Sequence, residues 1–508
     1  SNNGAYVSET SFTGLQNTFL SGIYGSTDGS KGYAETFYES SPLNRVLKQG
    51  APGASWQLTT NPVEYAYKTN TSTIASWKYS GDSYSSFSYA AGTLFLLETT
   101  DEDNNLVKEY TDKEGRLVQR EAGSAKTRYC YDKFGLLRCV LQSYATSPAT
   151  TNYCFYYKYD ERKRLTDKYI PGGNWTFYIY DKRDRVVLSQ DGNQRSKLTP
   201  EWSYTIYDQL NRPIEQGTWA TSTTRSVLKT NIENNINYIA GQGNRAAYKY
   251  LYYNDYTMPD EIAIHSDVTA LGQTQATNNT GRLTMEKIRV LDSETGMEPE
   301  ITVTYYYDKY GRLIQTAKDN HLGGIDYITN KYYPITGQIQ QTRYRHIVSG
   351  TTIYTDQYND YDHRGRLMKV RYKINGGTET LHLANSYDEA GNLADKYLHS
   401  QSGSNFLQRM DYIYNIRGWL TQIDNPASFS ENDKFGLKLY YNTAPTGGTA
   451  RFNGNIAGMG WGTTSNNNAN ANMLYRFTYN TNNRLTKADF YKSGVASGGL
   501  DVLYSYNN

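Results

Sequence analysis

Apolar and polar positions alternate along most of this chain with a period of two. Phe155, Tyr157 and Tyr159 fall on one side, as do Tyr305 with Tyr307 and Tyr412 with Tyr414. Aromatic residues at that period read as β-strands. Nowhere do apolar residues hold a 3.6-residue period over three turns between plausible caps, so the pattern predicts an all-β chain with almost no helix.

The alternation is punctuated by one recurring pattern, Tyr-Asp-x-x-Gly-Arg-Leu. Strong copies start at Tyr131 (YDKFGLL, with Asp132 and Gly135), Tyr307 (YDKYGRL, with Asp308, Gly311 and Arg312), Tyr361 (YDHRGRL, with Asp362, Gly365 and Arg366) and Tyr387 (YDEAGNL, with Asp388 and Gly391). Variants start at Thr111 (TDKEGRL), Tyr159 (YDERKRL, with Asp160), Tyr180 (YDKRDRV, with Asp181), Tyr207 (YDQLNRP, with Asp208), Tyr333 (YPITGQI), Tyr414 (YNIRGWL, with Gly418) and Tyr479 (YNTNNRL), and a weaker one at Thr277 (TNNTGRL). The steps are 20, 28, 21 and 27 residues from 111 to 207, and 26 to 28 from 307 to 414. Such a period marks a repeat array of about one hairpin per unit.

The motif has the chemistry of a hairpin corner. Its fifth residue is Gly in most copies and Asn211, Asn483, Asp184 or Lys163 in others; Gly and Asn enter left-handed backbone most cheaply. Asp at the second position can accept from its own backbone two residues on, which starts a turn. Together they predict a type I turn closed by a left-handed residue and a bulge. In that register Asp faces Arg (112 with 116, 160 with 164, 308 with 312, 362 with 366) and Tyr faces Leu (307 with 313, 361 with 367). One face is then aromatic and aliphatic and the other charged. Recurrence at every hairpin assigns the Asp and Arg to turn chemistry rather than to catalysis or ligand binding.

Composition sharpens this picture. The chain has 508 residues, 51 of them Tyr, with 38% hydrophobic residues and a net charge of +2. The core is expected to be tyrosine-rich, each ring burying area while its hydroxyl reaches water or a partner. With no basic run there is no nucleic-acid signal. No apolar stretch approaches 18 residues, which predicts no membrane span. No signal peptide opens the chain.

Candidate chemistry is sparse. Cys130 and Cys139, read in the hairpin register, point to opposite faces, which disfavours a disulfide between them; with Cys154 they are expected as buried thiols, and no metal spacing occurs. The histidines (265, 321, 346, 363, 382 and 399) are scattered, only His382 and His399 near a strand pattern. No phosphate-binding glycine loop or Ser/His/Asp constellation is supported, and no cofactor is expected. Asp101–Asp103 reads as a solvated loop rather than a cation site. Trp56, Trp77, Trp175 and Trp202 could stack sugars, with core packing the better reading.

The array divides into residues 1–100, an irregular β-rich start holding YESSPLNRVLKQGAPGASW; 101–217, a regular array; 218–300, degenerate repeats with long loops; 301–440, a second regular array; and 441–508, a Gly/Asn-rich insert with the last repeats. The chain stops at YNN, inside what would be another turn, so it reads as a section of a longer array. Roughly 19 hairpins at about 4.8 Å per strand make a ribbon near 180 Å long, and open twisted sheets beyond about ten strands must curl.

The motifs YDKYGRL, YDHRGRL and YDEAGNL resemble the YD repeats of the bacterial RHS-repeat family, similar also to the C components of insecticidal toxin complexes and to teneurins. SPLNRVLKQGAPG, QDGNQR and FNGNIAGMGW resemble the branch found in Bacteroidota. The resemblance implies a long antiparallel ribbon of YD hairpins spiralling into a hollow shell. That shell would be non-catalytic, secreted or at the cell surface, and would enclose a C-terminal polymorphic toxin or effector until delivery machinery releases it. The family's self-cleaving core segment has no match here, so no catalytic, cofactor or metal residue is assigned. The alternative function is an extracellular adhesion or glycan-binding array. An enzyme such as a glycosidase would need two carboxylates about 5 to 9.5 Å apart.

Overall fold

A computed structural model of the protein describes residues 9–290, 300–400, 403–429, 433–463, 473–492, 495–496 and 498–506. It is nearly all β, built of successive antiparallel hairpins. Two compact units are present: Ser1–Phe155 with Asn385–Leu398 and Phe406–Asn508, and Tyr156–Ala384 with His399–Asn405.

In the second unit every strand pairs antiparallel with the next, from the one ending at Tyr159 to Thr380–Tyr387. The first unit follows the same rule with one branch. Val63–Thr69 pairs directly with Phe95–Thr100, and the hairpin between them, Ile74–Ser80 with Ser83–Tyr89, leaves the ladder to lie parallel to Ala125–Asp132 through Lys78 and Tyr79. The strands from Gln408–Tyr414 to Leu485–Lys492 then form a further meander.

Each regular corner carries two irregularities. The first is the left-handed residue of the turn. The second is a bulge one residue beyond the Leu: Tyr307 faces Leu313, yet Tyr306 already faces Gln315, skipping Ile314. The same skip occurs after Leu117, Leu165, Val186, Pro213, Leu367, Leu420 and Leu485. An extra residue reverses which side chains share a face. That overturns the expectation for the cysteines: Arg138 is skipped, and Cys130 and Cys139 are direct cross-strand partners on one face.

Helices are few, but the expectation of almost none needs correcting. Glu9–Gly29 is helical with a break at Gly25, and Arg225–Asn234 is a helix of ten residues. Glycines 14, 22 and 25 mask the first in sequence, and the second has a single buried i,i+4 pair, Leu228 and Ile232. Tertiary packing makes that helix, not propensity. Leu228 and Ile232 are fully buried against Ile179, Leu188, Trp202 and Trp219. Arg225 ties the helix to the sheet through Asp167 at 2.7 and 3.0 Å and the Thr166 carbonyl at 2.9 Å. A second core gathers Ile262, Val268, Tyr306, Ile314 and Tyr327. In the first unit the core holds Ile74, Leu94, Leu96, Tyr110 and Val118.

Candidate functional site: the repeat corner and the seam

The corner forms around the carboxylate at the second motif position. Asp308 N–H donates to the Arg312 carbonyl and Gly311 N–H to the Asp308 carbonyl, both at 3.0 Å. The same two bonds close the corners at Asp112, Asp132, Asp160, Asp181, Asp208, Asp362, Asp388, Asn415 and Asn480. Gly135, Gly311, Gly365, Gly391 and Gly418 have φ of 76°, 82°, 80°, 96° and 74°, and Lys163, Asp184, Asn211 and Asn483 take the same region at 63°, 62°, 65° and 57°. Gly365→Val would strain this backbone and press a Cβ to 3.2 Å from Gln338 Nε2, which donates to the Gly365 carbonyl at 2.8 Å. We expect a loss of about 1–2 kcal/mol, read as faster amide exchange at residues 361–367 with the other corners unchanged.

The side chain completes the turn. Asp308 Oδ1 accepts from the backbone N–H of Tyr310 and of Arg312, each at 2.9 Å, while Oδ2 accepts from Arg312 Nε at 2.6 Å. The carboxylates lie close to the turn they accept from. They fold beneath the loop, leaving Asp181 1%, Asp112 3% and Asp308 5% exposed. Where the motif changes, another donor takes the place: Arg138 Nε reaches Asp132 Oδ2 at 2.7 Å in the copy lacking Arg, and Asn392 Nδ2 reaches Asp388 Oδ2 at 3.0 Å.

This bonding fixes the acid response. Backbone N–H groups of Arg366 and Arg364 and the Arg366 guanidinium hold the Asp362 carboxyl down at about 2. At Asp112, Asp132, Asp160 and Asp208 burial pushes the carboxyl up, but the arginine and backbone donors outweigh it and the net shift is downward. A carboxylate depressed in the folded state binds its proton less readily there than when unfolded. Its stabilisation is complete above the unfolded value near 4 and is lost as pH falls through the folded value. Thermal melts should therefore show the array losing stability steeply between pH about 4 and 2.

Corners are also joined to one another, which the sequence reading missed. In five copies the motif tyrosine donates its hydroxyl to the carbonyl at the Leu position of the copy before it, while Tyr479 donates to the Ile456 carbonyl instead. These bonds run from Tyr131 to Leu117 at 2.9 Å, Tyr180 to Leu165 at 2.7 Å, Tyr207 to Val186 at 3.0 Å, Tyr307 to Leu283 at 2.7 Å and Tyr361 to Ile339 at 3.2 Å. The arginine of the earlier copy lies over the same ring: Arg116 over Tyr131 at 5.4 Å, Arg164 over Tyr180 at 4.8 Å, Arg185 over Tyr207 at 4.6 Å and Arg282 over Tyr307 at 5.5 Å. Arg116, Arg164 and Arg185 thus each bind their own aspartate and the next tyrosine. The last such pair described is Tyr506, which donates to Leu485 at 2.6 Å beneath Arg484 at 4.8 Å.

Two copies are redrawn by this rule. The weak copy at Thr277 is half a corner: Tyr253 faces Leu283, and Asn254 Oδ1 accepts from Gly281 N at 2.8 Å. The intervening residues are an insertion whose Ile262 and Val268 fill the second core. In the copy read from Tyr333, it is Tyr332 that faces Ile339 and donates to the Leu313 carbonyl at 2.7 Å, the loop being one residue longer.

In the first unit, the two segments that stood apart from the array in sequence meet. Trp56, fully buried, donates Nε1–H to the Phe452 carbonyl at 2.7 Å. Trp419 meets its ring edge-on at 5.7 Å, and the Arg417 guanidinium lies 5.5 Å above it. Asp101–Asp103 is not a solvated loop. Asp101 Oδ2 accepts from Asn453 Nδ2 at 3.0 Å and Asn483 Nδ2 at 2.8 Å, Asp103 Oδ1 accepts from Phe452 N at 2.7 Å, and Glu102 lies 3.6 Å from Arg417. Burial pushes the Asp103 carboxyl up despite the Phe452 and Arg451 donors. Residues some 350 positions apart are joined, a pairing no local pattern announces.

Other candidates take structural places. Trp202 and Trp56 are each buried in their own unit, while Trp77 and Trp175 are half-buried. His382 lies in a strand, and so does His346, beyond the pair expected, with Nδ1 2.6 Å from Asp326. Asp267 accepts from Arg343 and Arg345 at 2.6 to 2.9 Å, a buried ion cluster linking residues too distant to pair by eye. Asp395 and Asp411 face each other across a ladder with Arg409 at 2.8 Å from the first and 3.0 Å from the second. Burial and the hydrogen bond with Asp395 push the Asp411 carboxyl up to about 6. Among the described residues no group of three His, Cys, Asp or Glu could hold a metal ion, and no helix is long and apolar enough to cross a membrane.

A family described as a domain of unknown function, DUF6443, matches residues 1–69. No curated protein matches the chain. A crystal structure of TcdB2-TccC3-Cdc42 is similar with a TM-score of 0.49 and 13% identity, over 91% of this chain and 22% of that one. TcdB2-TccC3 without its hypervariable C-terminal region gives 0.48 and 14%, over 93% and 22%. A Tc holotoxin pore of Photorhabdus luminescens gives 0.46 and 12%, over 91% and 26%. The chain spans 22 to 26% of the length of these solved chains.

Proposed function

We propose that this chain is a section of the wall of an RHS-type shell, a non-catalytic scaffold that sequesters a toxin or effector until delivery. The observation that carries the reading is the joined corner. Among the described residues, Asp, Arg, Gly and Tyr of the motif direct their hydrogen bonds to their own turn and, in several copies, to the neighbouring one. The cargo would belong to the same polypeptide or a processed fragment of it, acting outside the producing cell or at its surface. Electron cryomicroscopy of the intact protein tests this. A large internal cavity holding a segment encoded beyond this array is expected, and a solid interior would remove the proposal.

A second reading, a glycan-binding array, rests on one cleft of about 620 Å³ in the first unit, lined by Trp77, Tyr79, Phe87, Tyr89, Tyr129 and Tyr131, with Lys78, Lys113 and Lys133 beside them. Its size and aromatic lining suit a small ligand. Saturable binding to one sugar class on a glycan array, lost in Trp77→Ala, would favour it over the wall.

A further inference from the structure

All three cysteines of the chain gather in one buried place. Cys130, Cys139 and Cys154 are 1%, 0% and 0% exposed, in thiol form. Cys130 and Cys139 are opposite one another on adjacent antiparallel strands. Opposed residues in such a ladder have Cα atoms about 4.5–5.5 Å apart, inside the 4.4–6.8 Å range a disulfide requires. Cys154 stands differently. Gln142 N–H donates to the Tyr153 carbonyl at 3.0 Å, and that register sets Cys154 opposite Leu141, diagonal to Cys139. Diagonal neighbours have Cα atoms about 7–8 Å apart, wider than a disulfide's usual Cα range, so Cys154 touches the Cys139 sulfur from a less favourable backbone position. Cys154 Sγ also donates to the Ser147 carbonyl, 3.7 Å away.

We propose that Cys130 and Cys139 are a disulfide site, closed by a small-molecule disulfide such as oxidised glutathione, with Cys154 outside the bond. One cysteine thiolate attacks a sulfur of the oxidant and expels a glutathione thiolate, leaving a mixed disulfide. The second thiolate then attacks the protein sulfur of that intermediate. The Cys130–Cys139 bond forms, the second glutathione leaves, and the two thiol protons end on the two reduced glutathiones. Contact with the Cys130 and Cys154 sulfurs, together with burial, pushes the Cys139 thiol upward, which leaves little thiolate in the closed sheet. The exchange therefore belongs to folding or to transient opening of the hairpin. The bond would pin the second bulge of this corner, fixing the register that carries Tyr131 onto Leu117. This site stands on the register of one hairpin and does not depend on what the array encloses.

The test equilibrates the chain in a glutathione redox buffer with enough urea to open the hairpin. Urea is then diluted away, thiols are alkylated, and the protein is digested without reduction. Chymotrypsin separates Cys139 from Cys154 at Tyr144. We expect one linked pair, 130 with 139, lighter by two hydrogens, with Cys154 alkylated. The link should persist in Cys154→Ala and vanish in Cys130→Ala, with Cys139 alkylated there. Alkylation of both Cys130 and Cys139 in the unchanged chain, or a bond through Cys154 in the unchanged chain or in Cys130→Ala, would overturn the assignment. The unchanged chain decides the matter even if a variant fails to fold.

Discussion

Asp181→Ala is expected to cost about 3–5 kcal/mol, the range for removing one partner of a buried ion pair. Its carboxylate is fully enclosed and accepts from Arg183 N at 2.8 Å, Arg185 N at 3.1 Å and Arg185 Nε at 2.7 Å. Truncation leaves two turn amides and a guanidinium that is only 12% exposed without that acceptor. Arg185 keeps the Asp208 carbonyl at 3.2 Å and Asn211 Oδ1 at 3.0 Å, which places the loss toward the lower end. Because the guanidinium also covers Tyr207, the damage should spread to the next corner. Amide exchange should quicken through residues 180–207, while corners beyond 300 keep their protection. Asp181→Asn, which retains the acceptor for the turn amides, should recover part of the loss.

Trp56→Ala is the second large effect, also about 3–5 kcal/mol, from lost burial and the cavity left behind. Here the expected consequence is non-local. Removing the indole takes the hydrogen bond from Phe452, the edge contact from Trp419 and the surface beneath Arg417. Exchange should rise both at residues 50–57 and at 451–456, two stretches far apart in sequence. Quickening confined to the first would show that the seam does not couple them. Trp56→Phe keeps most of the buried area but not the Nε1 donor, and separates packing from the hydrogen bond.

These effects mark what was legible in the sequence. The turn was, because its requirements are local: a left-handed residue at Gly311, an Asp able to accept from the next amides, and the facing of Tyr307 by Leu313 all follow from a window of seven residues. What lies just beyond the window was not. The bulge after each Leu has no residue signature, since Ile314, Arg138 and Thr166 are equally skipped, and it alone reversed the reading of the cysteines. The tyrosine hydroxyl finds its acceptor in the preceding copy, on a backbone carbonyl that any residue could offer. Asp101 and Trp56 find theirs beyond position 400. The helix Arg225–Asn234 exists because a sheet lies under Leu228 and Ile232, which no pattern within ten residues could report.

As proposed, the repeated motif is scaffold chemistry that joins neighbouring corners, as Arg185 and Tyr207 do. A double-mutant cycle between Arg185 and Tyr207 tests it most directly, using Arg185→Met, Tyr207→Leu and the double variant, with stability read from amide exchange across residues 186–207. A favourable coupling of about 0.5–2 kcal/mol between them is expected. Additive losses, with no coupling, would contradict it.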